Sequence, residues 1–181
     1  MILKYLFISR VILGSLSTVF ALVSTSCQQK PINFIVEGVP NDTLKYEMNF
    51  QTYEVTPDSV DGKVRILNMA LPFYYGFIDD YRSGDGDYLD CFIISEDFLE
   101  RGIEETATVR GVILMSDNFE EDAKLLLTHG AVKMTNEMVS QIVIYLKNYS
   151  NDTIQIDSLV MGDVNYEELI SSYSEHLNDR E

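Results

Sequence analysis

Cysteine, histidine and positive charge are scarce in this chain of 181 residues, which has two cysteines, two histidines and 13 lysines and arginines against 29 acids. Cys27 and Cys91 cannot supply a disulfide framework, and Cys91, inside an apolar run, reads as a buried small hydrophobe without a disulfide partner. Neither His129 nor His176 has a partner at metal-ligand spacing, so both read as surface or loop residues. A formal charge of −16 repels nucleic acid and anionic lipid over a Debye length, which argues against nucleic acid as a partner. Metal cations or basic partners fit better, and a phosphate anion handled here would need bound cations to reverse the local sign. Internal repeats and low-complexity tracts are also missing, and the length suits one domain with a real core.

The first 26 residues have the parts of an export signal. Lys4 and Arg10 are its only charges, Val11 to Val23 is apolar, and Ser24, Thr25 and Ser26 precede Cys27. Ending on a cysteine, this segment resembles a bacterial lipoprotein signal in which Cys27 is acylated; an uncleaved membrane anchor is the alternative. The expected organisation is signal peptide 1–26, tether 27–32 and a domain over 33–181, lying outside the cytoplasm in the bacterial cell envelope, membrane-anchored and periplasm-facing. Beyond the signal, 11 basic residues face 29 acidic ones.

From Asn33 to Met69 partly alternating apolar positions read as strands, with Asp61-Gly62 as a turn between two of them. Leu89 to Ser95, Thr106 to Met115 and Asp122 to Thr128 are further short runs of the same kind. Helical spacing comes late, at Met138, Val139, Ile142, Val143, Leu146 and Tyr149, and again at Leu169, Ile170, Tyr173 and Leu177. Asn165 with Glu168 resembles a capping box that opens the last helix. The class is mainly β with flanking helices, a compact barrel or sandwich.

Within GDGDYLDCFII, Asp85, Asp87 and Asp90 place carboxylates close together, and a strand would set Asp85 and Asp87 on one face. Packed acids repel unless cations are present, and carboxylate oxygens are preferred ligands of Mg²⁺ and Mn²⁺. The bland alternative is a solvated acidic turn. An EF-hand loop fails, because Asp90 falls where a glycine is required and an apolar strand follows. The company favours a site: Asp117 and Asp122 follow, and Asp122 with Lys124, like Lys45 with Glu47, aims a carboxylate and an ammonium the same way.

GDGDYLD, followed by GVILMSDNFEEDAKLL and preceded by LKYE and PFYYGFI, resembles the soluble family I inorganic pyrophosphatases over about Ile35 to Asn148. The resemblance implies a five-stranded OB-like barrel with flanking helices. It implies hydrolysis of pyrophosphate with Mg²⁺, or Mn²⁺, held by Asp85, Asp90, Asp117 and Asp122, with Glu47 on a metal that arrives with the substrate. Asp87 becomes the general base, Lys45, Lys124 and Lys147 the phosphate-binding lysines, and Tyr75 a tyrosine beside the site. Glu37 matches an acidic position only with a one-residue slip. The family's bacterial members often form hexamers, so a homo-oligomer is admitted.

The chain departs from that pattern where Leu71 and Leu146 replace tyrosines and Lys63 stands in place of arginine. Each hydrogen bond lost to a charged phosphate costs about 1.5 to 3 kcal/mol, and lysine lacks the bidentate fork. Arg65, Tyr74, Tyr145 and Tyr149 are near enough in sequence to compensate, although Tyr145 and Tyr149 also suit the buried groove of a helix. A non-catalytic metal or phosphate-binding module, and a hydrolase of another small phosphate compound, remain alternatives.

Overall fold

The computed structural model describes residues 31–83, 86–118, 120–149, 153–162 and 165–178. The signal segment, Cys27 and Asp85 therefore lie outside the described residues. The elements in chain order are β1 (Ile32–Gly38), β2 (Tyr46–Asn49), β3 (Glu54–Pro57), β4 (Ser59–Val60), β5 (Lys63–Val64), β6 (Tyr74–Arg82) and β7 (Tyr88–Ile94). They continue with β8 (Glu104–Asp117), β9 (Glu120–Glu121), β10 (Lys124–Thr128), α1 (Asn136–Tyr149), β11 (Ile154–Met161) and α2 (Tyr166–Asn178). Ile32, assigned to the tether from sequence, already pairs with Ala107.

Five strands, β1, β6, β7, β10 and β8, are hydrogen-bonded in that order, and the ring closes because β1 also pairs with the start of β8. This is the OB-like barrel, mainly β with flanking helices, that the sequence led us to expect. All of these pairs are antiparallel except β7 with β10, where Cys91 lies opposite Leu125 and Ile93 opposite Leu127. Both faces of β7 and β10 are covered, which explains why they read as unbroken apolar runs. Alternate residues separate into two clusters. Leu89, Cys91, Ile93, Leu125 and Leu127 join the larger one with α2, while Phe92 and Leu126 join the smaller one under α1.

Local chemistry sets the ends of these elements. Asp61 and Gly62 both have positive φ and close the two-residue turn between β4 and β5. Thr135 caps α1 by accepting the Met138 amide on its hydroxyl at 3.3 Å. At α2, Asn165 Oδ1 accepts the Glu168 amide at 3.4 Å, which is half of the expected capping box, while Glu168 Oε2 accepts from the Asn165 side-chain amide at 3.2 Å. Strands β6 and β11 were not identified as strands from the sequence. A Cβ at Gly76, in β6, would collide with the Ile35 carbonyl of β1, so only glycine allows that close approach.

Candidate active site

The parallel pairing of β7 with β10 brings Asp90 and Lys124 together from distant parts of the chain. Lys124 is buried, yet its ammonium donates to Asp90 Oδ2 at 2.7 Å and is ion-paired with Asp122. Burial alone would push its pKa down, and the charges of Asp90 and Asp122 reverse this, so it is held well above the ordinary lysine range. Tyr75 donates its hydroxyl to the same Asp90 oxygen at 2.5 Å. Burial and then the Asp90 and Asp122 charges push its pKa well up, so the phenol stays protonated.

These groups form one wall of a cavity of about 670 Å³. Asp87, Asp117 and Glu120 line it as well, and so do Lys45 and Glu47, ion-paired at 2.5 Å. Arg65 reaches it while bonded to Asp58 at 3.0 Å. Buried Glu37 accepts the Met48 amide at 2.7 Å. Desolvation raises its pKa, the Met48 bond opposes this, and Asp90 and Glu47 add to the rise, leaving it at about 7. A smaller adjoining cavity of about 370 Å³ is bordered by Lys45, Arg65 and Tyr149.

Most of the residues singled out from sequence are thus brought together: Lys45, Glu47, Tyr75, Asp87, Asp90, Asp117, Asp122 and Lys124, with Glu37 beside them. One reading needs correction, and two of the residues, Lys147 and Lys63, lie apart from the cavities. Asp87 does not sit on a strand face; it lies in the turn before β7, where Gly86 has φ +89° and the Ser83 amide bonds to the Asp87 carbonyl at 2.9 Å. Lys147 is exposed in the last turn of α1, outside both cavities, because helical geometry turns Tyr145, Leu146 and Tyr149 inward instead. Lys63 is exposed in β5 and lines neither cavity.

Arg65 faces the site in place of Lys63, tied in by backbone bonds from its amide to Asp58 and from the Lys45 amide to its carbonyl, each 2.9 Å. Leu71 and Leu146 are buried in the cluster beneath α1. Tyr74 points elsewhere, bonding to the Asp97 carbonyl and the Leu99 amide. Arg82 and Phe50 also line the cavity, and nothing in their sequence neighbourhood marked them.

A divalent cation, implied by the resemblance, has to fit these donors. Carboxylates on one wall are the hard oxygen ligands that Mg²⁺ and Mn²⁺ prefer. Among the described residues no three acidic, cysteine or histidine side chains are close enough together to hold an ion, and Lys124 is the cation between Asp90 and Asp122. The donors suit a divalent metal by type, and in this arrangement Lys124 occupies the place between two of them.

Barrel and cavity together define a protein that gathers carboxylates and cations into one pocket. The family model for inorganic pyrophosphatase matches residues 34–162, and the chain belongs to that family. The inorganic pyrophosphatase of Mycoplasma genitalium is 33% identical over 132 residues, covering 65% of this chain and 67% of that protein. That of Ureaplasma parvum is 35% identical over 97 residues, which is 52% of this chain and only 50% of its relative. A solved inorganic pyrophosphatase from Neisseria gonorrhoeae superposes with a TM-score of 0.65 at 24% identity, over 82% of this chain and 91% of that one, and so shares the fold.

Proposed function

We propose that this chain hydrolyses inorganic pyrophosphate to two phosphates with Mg²⁺ as its metal, Mn²⁺ being the alternative. The observation that carries the proposal is the Asp90–Lys124–Asp122 cluster opening into a cavity with Asp87, Lys45 and Arg65. Asp90, Asp117 and Asp122, with Asp85 from outside the described residues, would hold the metal, and Glu47 would contact one arriving with substrate. Bound there, it would supply Lewis-acid charge and a more acidic water. Asp87, which lines the cavity, would take the proton of a water attacking phosphorus. Lys45, Arg65 and Lys124 offset the phosphate charges, and Tyr75 holds Asp90 in place by hydrogen bonding. Positioning and electrostatics then carry the rate.

The test is phosphate release from pyrophosphate by the purified full chain with Mg²⁺, with Mn²⁺ and with chelator. Asp87→Asn should lower turnover by about 10²- to 10⁴-fold with little change in stability, since Asp87 is exposed. Absence of metal-dependent turnover by the unmutated chain would reject the assignment. A non-catalytic phosphate-binding module is the second reading, favoured by the burial of Leu71 and Leu146 where the resemblance has tyrosines. Saturable pyrophosphate binding without turnover would select it.

We further propose lipidation at Cys27 and a cell-envelope location. Metabolic labelling with a fatty acid, lost in Cys27→Ser, tests both together with membrane fractionation. Sedimentation of the purified chain would show whether it forms a homo-oligomer.

A further inference from the structure

Beside the carboxylate and lysine groups, where Phe77 pairs directly with Asp90 across β6 and β7, the same cavity is lined by Phe50, Phe77, Tyr88 and Arg82. The pyrophosphatase reading gives these residues no task, and the cavity, at about 670 Å³, falls in the range that holds whole organic ligands. Pyrophosphate needs far less room.

The construction of this wall follows from strand register. Irregular pairing between Ile78 and Arg82 sets Arg82 directly opposite Tyr88 across β6 and β7. The Arg82 guanidinium lies 3.5 Å from the centre of the Tyr88 ring. Its NH1 donates to the Gly86 carbonyl at 3.1 Å, which holds the group flat beside the turn that carries Asp87. Tyr88 stacks on Phe77 with centroids 5.2 Å apart. Phe50, from the loop between β2 and β3, packs against both, at 5.5 Å from Phe77 and 4.9 Å from Tyr88. Phe50 nevertheless remains 48% exposed, and Arg82 is exposed too. Tyr88 and Phe77 thus support a ledge whose free surface is an aromatic ring and a planar cation.

Planar π surfaces and guanidinium planes are what aromatic bases stack on. The adjoining cluster carries the cations, Lys124 and Lys45, that suit a diphosphate. We infer that this cavity binds organic diphosphates bearing a planar aromatic ring, of the nucleoside diphosphate class, with the ring seated on Phe50 and Arg82 and the diphosphate directed towards Lys124 and Lys45. The inference rests on the diphosphate-binding reading of the carboxylate and lysine wall and extends it to a second ligand class.

The experiment uses adenosine 5′-diphosphate with Mg²⁺ as probe. Its dissociation constant is measured by calorimetry for the full chain and for Phe50→Ala and Phe50→Trp, alongside the KM of each for pyrophosphate. One base stacked on an aromatic ring corresponds to about a tenfold or greater difference in affinity. Phe50→Ala should weaken the nucleotide by about that factor while the KM for pyrophosphate changes less than about twofold, and Phe50→Trp should retain nucleotide binding. Pyrophosphate turnover with no nucleotide binding would overturn the inference and leave the pyrophosphatase assignment intact. Equal losses for both ligands in Phe50→Ala would overturn it as well, since they would mean a general structural defect. Ring-dependent nucleotide binding without pyrophosphate turnover would support the ledge and reject the pyrophosphatase assignment.

Discussion

Glu37→Gln isolates the effect of a carboxyl buried beside other carboxylates. Glu37 is 8% exposed and accepts the Met48 amide, a bond that the glutamine side-chain oxygen can keep. Its pKa rises from 4.5 to about 7 on folding, first through burial and then through Asp90 and Glu47, with the Met48 bond opposing. Below pH 4.5 both states hold the proton and Glu37 costs nothing. Between 4.5 and 7 the unfolded chain releases the proton while the folded chain retains it, so stability falls as pH rises and levels off above about 7. The gap corresponds to about 3 kcal/mol. Urea unfolding of both proteins in chelator, followed by far-UV circular dichroism across this range, gives a difference curve in which the shared titrations cancel. The variant should match the unmutated protein at low pH and exceed it by up to about 3 kcal/mol near pH 8. A flat difference curve, or a variant less stable at pH 8, would refute the reasoning.

Lys124→Met would leave Asp90 and Asp122 without the ammonium between them. We expect a loss of about 3 to 5 kcal/mol in chelator, partly restored by Mg²⁺, and an unchanged urea midpoint would contradict this. Gly76→Ala would force a methyl group into the Ile35 carbonyl. A cost of about 1 to 3 kcal/mol should accompany faster amide exchange in β1 and β6, and native exchange rates there would count against the close approach.

Features that depend on adjacent residues were legible in the sequence: the Asp61-Gly62 turn, the Asn165–Glu168 cap and the apolar stripe of α1. The grouping of Asp90, Asp117, Asp122, Lys124, Lys45 and Glu47 was also legible, through spacing and family resemblance. What was missed depends on three-dimensional context. Gly86 bends the chain, so the alternation of a strand does not apply to Asp87. One position along α1 is about 100° of rotation, and that rotation separates exposed Lys147 from buried Leu146. Strand β5 ends at Val64, so Lys63 and Arg65 do not share a pleat as their spacing suggests. The ledge of Phe50 and Arg82 arises from a register shift and a loop contact that local pattern does not encode.

The parallel neighbours β7 and β10 also have a kinetic consequence. Parallel strands cannot be joined by a tight turn, and the chain completes β8 and β9 before it returns to set Lys124 beside Asp90. The ion cluster therefore forms only once β7 and β10 have met across the intervening chain, a slow kind of step because distant segments must be ordered before any contact rewards it. During refolding, protection of the local hairpins should appear ahead of protection of the β7–β10 pairing that carries the cluster.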